Sequence, residues 1–175
     1  MSGSVGDNTA RASGVIASAG GGGKIGQVIN VIKTDTASRG GASWADISGM
    51  TATITPSATD SKILWGFYIG ESYSSGYGKI QIVYGDDSAL TTAAIGDTRG
   101  SRVRCTAGGM YDASTDTGQQ VSVQGLDAPN TISATTYKLQ WWTSGTFYLN
   151  RRGNDTDNAS FDSAISTLTL MEVLA

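Results

Sequence analysis

Two short motifs in the sequence contain residue types that could perform chemistry. Residues 21–26 (GGGKIG) match the G-x-G-x-x-G pattern of phosphate-binding loops, in which glycines let backbone amides approach a phosphate. Such a loop follows a strand and opens a helix, whereas these glycines follow a small polar segment and precede an apolar strand pattern. Residues 116–118 (DTG) match the core of an aspartic-protease loop, but that mechanism needs two carboxylates at one site and the sequence holds one copy. We therefore interpret the first motif as a hinge and the second as a turn.

A third motif, at residues 154–158 (NDTDN), places oxygen ligands at alternate positions, as calcium loops do. It lacks the turn glycine and the bidentate glutamate that close such a loop, so a weak ion site at Asp155 and Asp157 and a solvated turn both stay open. The chain has no histidine and a single cysteine, Cys105. Those counts exclude Ser-His-Asp, Cys-His and histidine-zinc chemistry. We expect no enzymatic activity and no cofactor, and we assign no metal ligands.

The aromatic residues point to binding instead. Trp141 and Trp142 are adjacent in a predicted strand, so one faces the core and the other faces outward. An outward tryptophan usually has a partner, and Trp142 could serve a buried seam between subunits or a platform on which a sugar stacks. Tyr73 and Tyr77 occur in a Gly- and Ser-rich segment, residues 70–78, whose composition resembles that of binding loops and equally suits a mobile loop.

The composition restricts the fold class and the partners of the chain. The 175 residues include 12 basic and 15 acidic side chains, which give a net charge of -3 and no electrostatic reason to expect a nucleic-acid partner. No apolar stretch is long enough to span a membrane, and the first residues do not read as a secretory signal, so we expect synthesis in a reducing cytoplasm. Many Gly, Ser and Thr residues beside few Lys and Glu favour strands and turns over helices.

An apolar residue at every second position predicts the strands. In residues 62–70 (KILWGFYIG), Ile63, Trp65 and Phe67 share one face, which we expect to be core. Residues 25–33 are apolar on both faces, which predicts a central strand buried between two layers.

The other candidate strands are residues 44–47, 50–55, 79–84, 101–106, 119–126, 136–143, 147–150 and 164–173. A turn at Ser144 and Gly145 predicts that the 136–143 and 147–150 strands form a hairpin. Together these segments predict an all-β domain over residues 25–175, a two-sheet antiparallel sandwich of jelly-roll type.

Residues 1–24 differ in composition from this domain and predict an extended N-terminal arm. They are small and polar, end in the glycines of the predicted hinge, and offer few apolar groups, so the arm should not fold alone. We expect it to dock on a partner, or to exchange between subunits, by laying its backbone and side chains along a neighbouring surface. The residues expected to make these contacts are Val5, Asp7, Asn8, Arg11, Val15 and Ile16.

Three segments resemble virion surface domains of tailed phages, notably phages of marine and cyanobacterial hosts. Residues 5–14 (VGDNTARASG) are similar to the "DN-x-x-R-x-SG" opening of those domains. Residues 33–64 contain the matching strand pattern (KTDT, then WADISGM, ITP and SKIL), and residues 148–173 resemble the "YLNR … ISTLTLMEI" ending. The resemblance covers about half of the chain. Residues 70–124 have no counterpart, and binding specificity would differ there.

The resemblance implies a β-sandwich that trimerises and carries no catalytic residues. Because a fibre usually needs a long shaft and this chain has a short arm and one sandwich, we predict a homotrimeric capsid decoration or cement protein that clamps neighbouring major capsid subunits. Threefold packing would also cover sheet edges and hide an outward tryptophan. The alternative prediction is a tail-fibre tip or receptor-binding module that holds a host surface glycan. In either case we expect localisation at the virion surface after assembly in the host cytoplasm, with no nucleic-acid or membrane partner.

Overall fold

The computed structural model describes residues 24–175, which form ten strands and no helix. The strands are β1 (Ile25–Lys33), β2 (Ala37–Gly40), β3 (Ala45–Ile54), β4 (Lys62–Ser74), β5 (Gly78–Tyr84), β6 (Ala107–Met110), β7 (Gln119–Asp127), β8 (Thr135–Trp142), β9 (Thr146–Leu149) and β10 (Ser166–Val173). Within this range there is accordingly no helix long and apolar enough to cross a membrane. The residues predicted to form the docking arm, Val5, Asp7, Asn8, Arg11, Val15 and Ile16, lie outside the described residues.

The strands form two antiparallel sheets. In the six-stranded sheet β1 pairs with β10, β10 pairs with β4, and β4 pairs with both β7 and β9, while β2 pairs with β9. Ser72 of β4 is paired with both β7 and β9, so these two strands lie on opposite sides of β4. Strand β9 therefore pairs with the same edge of β4 as β10 does, farther along the strand. The four-stranded sheet has the order β3-β8-β5-β6.

Apart from the short strands β2 and β9, the remaining eight strands form a jelly roll. One sheet has the order β1-β10-β4-β7 and the other has the order β3-β8-β5-β6, so the chain changes sheet at every connection except that from β5 to β6. This is the double Greek-key arrangement that defines the jelly roll. The predicted two-sheet antiparallel sandwich of jelly-roll type is therefore confirmed.

The alternating pattern of each strand places one hydrophobic core between the two sheets. Ile63, Trp65 and Phe67 of β4 face inward and are at most 4% exposed, as the sequence pattern predicts. The other fully buried hydrophobic residues of this cluster come from both sheets and include Ile54, Ile69, Ile80, Ile82, Tyr137, Leu139, Phe147, Leu168 and Leu170. Removing this apolar surface from water is the main favourable contribution to folding.

Strand β1 lies at an edge of the six-stranded sheet, so the prediction of a central strand at residues 25–33 is wrong. Its inward residues Ile29 and Val31 pack against the core, but Val28 and Ile32 are 52% and 54% exposed. The apolar pattern on both faces of β1 thus reflects an apolar outer surface and not a second covering layer.

The strand predicted at residues 101–106 is also wrong. These residues belong to the long connection between β5 and β6, and regular pairing with β5 starts only where the Thr106 amide donates to the Ile80 carbonyl at 3.0 Å. Strand β6 follows at once and includes Gly108 and Gly109.

The hairpin predicted between residues 136–143 and 147–150 does not form, because β8 and β9 belong to different sheets. Residues 143–145 carry the chain from one sheet to the other. The predicted strands at 44–47 and 50–55 join into the single strand β3, which ends at Ile54 and contains a register shift and a positive φ of 81° at Gly49.

Candidate functional site

The two adjacent tryptophans face opposite sides of the four-stranded sheet, as predicted. Trp141 is 6% exposed and packs against the core residue Phe147, with ring centroids 5.7 Å apart. Trp142 points to the outer side of the sheet and is partly exposed. A tryptophan in that position needs a neighbour to cover its ring.

Lys79 is the neighbour that covers Trp142. The two residues are paired across β5 and β8, and the Lys79 Nζ atom lies 3.9 Å from the centroid of the Trp142 ring. Gly108 is paired with Lys79 on its other side and contributes no side chain there. Burial lowers the pKa of Lys79. Among residues 24–175, no acidic side chain forms a salt bridge with Lys79, so the Trp142 ring stabilises this cation in place of a carboxylate.

Two exposed tyrosines extend the same surface. Tyr77 and Tyr111 are 64% and 45% exposed, and their ring centroids are 5.5 Å apart. The Lys79 Nζ atom lies 5.9 Å from the Tyr77 ring and donates a hydrogen bond to the Tyr77 carbonyl at 3.3 Å. We call Tyr77, Lys79, Tyr111 and Trp142 the aromatic surface.

Tight contact between two turns positions Tyr77. A Cβ atom on Gly76 would lie 2.4 Å from the backbone nitrogen of Gly145, so the turns at residues 75–77 and 143–145 can approach this closely only because both positions are glycine. The Tyr77 amide donates to the Ser144 hydroxyl at 3.0 Å. The backbone of Tyr77 is therefore fixed while its ring stays exposed.

Tyr73 does not belong to the aromatic surface, and the loop predicted for it is wrong. Strand β4 continues to Ser74, so Tyr73 lies in a strand and is only 6% exposed. Its ring stacks on Tyr148 at 5.9 Å, and the Arg151 guanidinium covers Tyr148 at 4.2 Å. Tyr73 thus supports the packing of β9 against β4.

The DTG motif lies in a turn that Arg152 holds in place, as the turn interpretation predicts. Arg152 forms a salt bridge with the buried Glu71, donates to the Asp116 carbonyl at 2.7 Å and pairs with Asp162 at 2.9 Å. The Asp116 carboxylate accepts a hydrogen bond from Asn154 at 3.0 Å. These contacts join the β6–β7 and β9–β10 loops to β4 and make the motif structural.

At the third motif, Asp155 forms a salt bridge with Arg151 at 3.2 Å. Asp155 and Asp157 are both exposed. Within the part of the chain that the structure describes, no group of three or more His, Cys, Asp or Glu side chains is arranged to hold a metal ion.

A fully buried carboxylate, Asp127, joins the two sheets. Its Oδ2 atom accepts hydrogen bonds from the hydroxyls of Tyr84 and Tyr137 at 2.5 and 2.8 Å, and its Oδ1 atom accepts one from the Thr92 amide at 2.8 Å. Burial, together with this neighbouring carboxylate, raises the pKa of both tyrosines. Because both carboxylate oxygens are occupied by donors from the protein, Asp127 acts as a structural tie.

A second buried carboxylate, Glu172 of β10, fixes the start of β1. Its Oε1 atom accepts hydrogen bonds from the Ser57 amide and hydroxyl at 2.6 and 2.7 Å, and its Oε2 atom accepts one from Gln27 at 2.9 Å. Burial alone would raise the pKa of Glu172, but the hydrogen bonds outweigh burial and lower the pKa to about 2. The carboxylate is therefore ionised at neutral pH and links β10, β1 and the β3–β4 loop.

A surface that the sequence analysis did not identify covers the part of the outer side of the six-stranded sheet formed by β1, β10, β4 and β7, with Lys62 at its margin. Twelve positions on four adjacent strands align there in three rows, and none of them is charged. They are Val28, Asn30 and Ile32 of β1, Thr167, Thr169 and Met171 of β10, Leu64, Gly66 and Tyr68 of β4, and Ser122, Gln124 and Leu126 of β7. We call this surface the outer face.

One of the three rows of the outer face is entirely apolar. It runs from Val28 through Met171 and Leu64 to Leu126, and its two end residues are 52% and 45% exposed. In the next row Gly66 has no side chain, and a shallow groove of about 240 Å³ opens there. The sequence carries a signal for this surface in the two-sided apolar pattern of β1, but only the strand order shows which rows align.

Comparisons with known proteins give few matches. No protein-family model matches the chain, and no curated protein matches it in sequence. Among solved structures, the chain is similar to one in the structure of infectious bursal disease virus, Gx strain, with 17% identity, a TM-score of 0.37, and coverage of 93% of this chain and 41% of the viral chain. The present chain thus spans less than half the length of that neighbour. The finer resemblance to virion domains of tailed phages rests on the sequence motifs alone.

Proposed function

We propose that the chain is a structural protein of a virus particle, specifically a homotrimeric capsid decoration protein that stabilises the head of a tailed phage. The observation that carries this proposal is the uncharged outer face with its row of four apolar side chains. We propose no catalytic activity for it.

The outer face has the chemistry of an assembly surface. Soluble monomers rarely expose a large continuous apolar patch, and the buried centre of a protein interface is depleted of charged residues. Contact with an uncharged surface costs no charge desolvation, and every further copy of this chain supplies such a surface. One edge of β1 has no strand partner within residues 24–175 and lies beside the outer face, so one contact between protomers could cover both.

The sequence resemblance includes one of the four strands of this face, β10, and the first residues of a second, β4. Residues 148–173 contain all of β10, and residues 33–64 end within β4. Strands β10 and β4 are the two central strands of the outer face. Strands β1 and β7 lie almost entirely outside the matching segments, so the resemblance bears on the centre of the outer face alone.

Placing one charge in the outer face tests this proposal. Thr169, whose hydroxyl donates to Asn30 at 2.9 Å, lies in the middle row, and Thr53 bonds Thr136 at 2.8 Å on the other sheet. Burial of an unpaired carboxylate costs several kcal/mol, so Thr169→Glu should weaken self-association by more than about a hundredfold. Thr53→Glu serves as the matched control and should leave it unchanged.

Sedimentation equilibrium would measure the mass of each variant. Wild type and Thr53→Glu should sediment at three times 18.1 kDa and Thr169→Glu as a single chain with an unchanged circular dichroism spectrum. A wild type that stays monomeric at high concentration, or a trimeric Thr169→Glu variant, would refute the assembly role of the outer face.

The expected capsid contact has its own test. Deletion of residues 2–20, which include the predicted docking residues, should leave a folded trimer that no longer binds capsids of the major capsid protein. Retained binding would show that these residues are not the anchor.

The second candidate function is a tail-fibre tip or receptor-binding module, which the aromatic surface favours. Quantitative mass spectrometry of purified virions separates the two locations. Hundreds of copies per particle would support the decoration role, whereas a few to a few dozen copies would support the tail.

A further inference from the structure

We propose that the aromatic surface is a binding site for a carboxylated carbohydrate, with Tyr77 and Tyr111 stacking on the sugar and Lys79 binding its carboxylate. This inference goes beyond the assembly role, because attachment to a capsid requires no sugar. It also names a ligand class for the second candidate function, and it depends on neither the trimer nor the position of the protein in the particle.

Lys79 is placed to receive an anion. Its ammonium group has three N–H bonds. One is directed at the Tyr77 carbonyl, 3.3 Å away, and the Trp142 ring covers another side of the group at 3.9 Å. Since no acidic side chain among residues 24–175 forms a salt bridge with Lys79, a ligand carboxylate would gain a charge-assisted hydrogen bond without displacing a protein partner.

Tyr77 and Tyr111 offer ring faces to the same ligand. The ring centroids are 5.5 Å apart and the interplanar angle is 37°, so one face of each ring packs against the other ring and the opposite face is exposed to solvent. The C–H groups of a pyranose ring carry partial positive charge and pack favourably on the electron-rich face of an aromatic ring. The Tyr77 backbone is already fixed by Ser144, so binding loses little backbone entropy there.

The surroundings favour a sugar over a protein partner. The turns beside Tyr77 consist of small polar residues and glycines, at positions 75–76 and 143–145, and contribute no aliphatic side chain that a protein interface would bury. Asp112, the acidic residue that follows Tyr111 in sequence, accepts a hydrogen bond from the Ser114 amide at 3.0 Å within its own loop. The apolar contact area lies instead on the outer face, on the other sheet.

Titration with defined oligosaccharides tests the proposal. Isothermal titration calorimetry of wild type would use tetragalacturonate and sialyllactose as the two carboxylated probes, with cellotetraose as the neutral reference. We expect at least one carboxylated probe to bind more tightly than cellotetraose, and the two probes distinguish a uronic acid from a sialic acid. The advantage should fall as salt is added.

Four variants separate charge from stacking. Lys79→Gln should weaken binding of the carboxylated probe by about tenfold or more and leave cellotetraose unchanged, while Lys79→Arg retains most of the affinity. Tyr77→Ala should weaken both kinds of sugar by about tenfold. Lys24→Gln removes the same charge from an exposed lysine ahead of β1, at the opposite end of the sandwich, and should bind as wild type does.

Several results would overturn the proposal. Wild type that binds no carboxylated probe, or equal losses in Lys79→Gln and Lys24→Gln, would show that no specific site exists. Loss of the trimer in Lys79→Gln or Tyr77→Ala, with sugar binding absent from wild type, would assign the aromatic surface to a seam between subunits.

Discussion

Replacing Glu172 by glutamine should destabilise the fold by an amount that depends on pH. The substitution keeps the size of the side chain but removes its charge and one acceptor, so the three hydrogen bonds from Ser57 and Gln27 weaken or break. Charge-assisted hydrogen bonds contribute about 1.5–3 kcal/mol each and some re-form to the amide, so we expect a loss of about 2–3 kcal/mol at pH 7. For a chain of this length that corresponds to a decrease of about 5–10 °C in Tm.

The stabilisation by Glu172 should decrease as the pH falls. Folding lowers the pKa of Glu172 from 4.5 to about 2, so its contribution is complete above pH 4.5 and is lost as the pH falls through about 2. The difference in free energy of unfolding between wild type and Glu172→Gln should therefore be constant near neutrality, shrink below pH 4.5 and largely disappear by pH 2.

Urea denaturation at a series of pH values, followed by tryptophan fluorescence, would measure this difference. Asp60→Asn is the matched control, because Asp60 is an exposed carboxylate in the same β3–β4 loop. We expect the control to match wild type throughout. Equal stability of Glu172→Gln and wild type at pH 7, or a difference that persists unchanged to pH 2, would refute the role given to these hydrogen bonds.

Two further substitutions have defined outcomes. Asp127→Asn should lower the free energy of unfolding by about 3 kcal/mol, because the amide nitrogen cannot accept a hydrogen bond from whichever it faces, the two tyrosine hydroxyls or the Thr92 amide, and an unchanged urea midpoint would contradict this. Gly76→Ala should lower Tm, since its Cβ atom would lie 2.4 Å from the nitrogen of Gly145, whereas Gly96→Ala, with no atom closer than 4.0 Å, should not. Equal Tm values for Gly76→Ala and Gly96→Ala would show that the turns at residues 75–77 and 143–145 can move apart without loss of stability.

The sandwich could be predicted from the sequence because its strands are encoded locally. Alternation in residues 62–70 is a property of neighbouring residues and correctly assigned Ile63, Trp65 and Phe67 to the core. The order of strands within a sheet depends on pairing between distant segments, which alternation does not contain. The two-sided apolar pattern of β1 was therefore compatible with a central strand, although the structure places β1 at an edge.

The candidate site could be predicted only in part for the same reason. Adjacency in a strand was enough to show that Trp142 or Trp141 must face outward. Lys79 meets Trp142 through the register of β5 against β8, and Tyr111 meets Tyr77 because β6 pairs with β5. Both contacts join residues more than thirty positions apart in the sequence. The apolar pattern within one strand cannot predict such contacts, because they depend on which strands pair and in what register.

The pairing of β1 with β10 has a consequence during biosynthesis. Strand β1 is among the first segments of the domain to leave the ribosome, yet its strand partner, Ser166–Val173, begins to emerge only after residues 34–165 have been made. During that interval both edges of β1 are open, and neighbouring nascent chains on one polysome present β1 segments of the same kind. Rapid translation of the intervening residues would shorten this exposure. Charged or chaperone-bound flanking segments would limit pairing between unfinished chains.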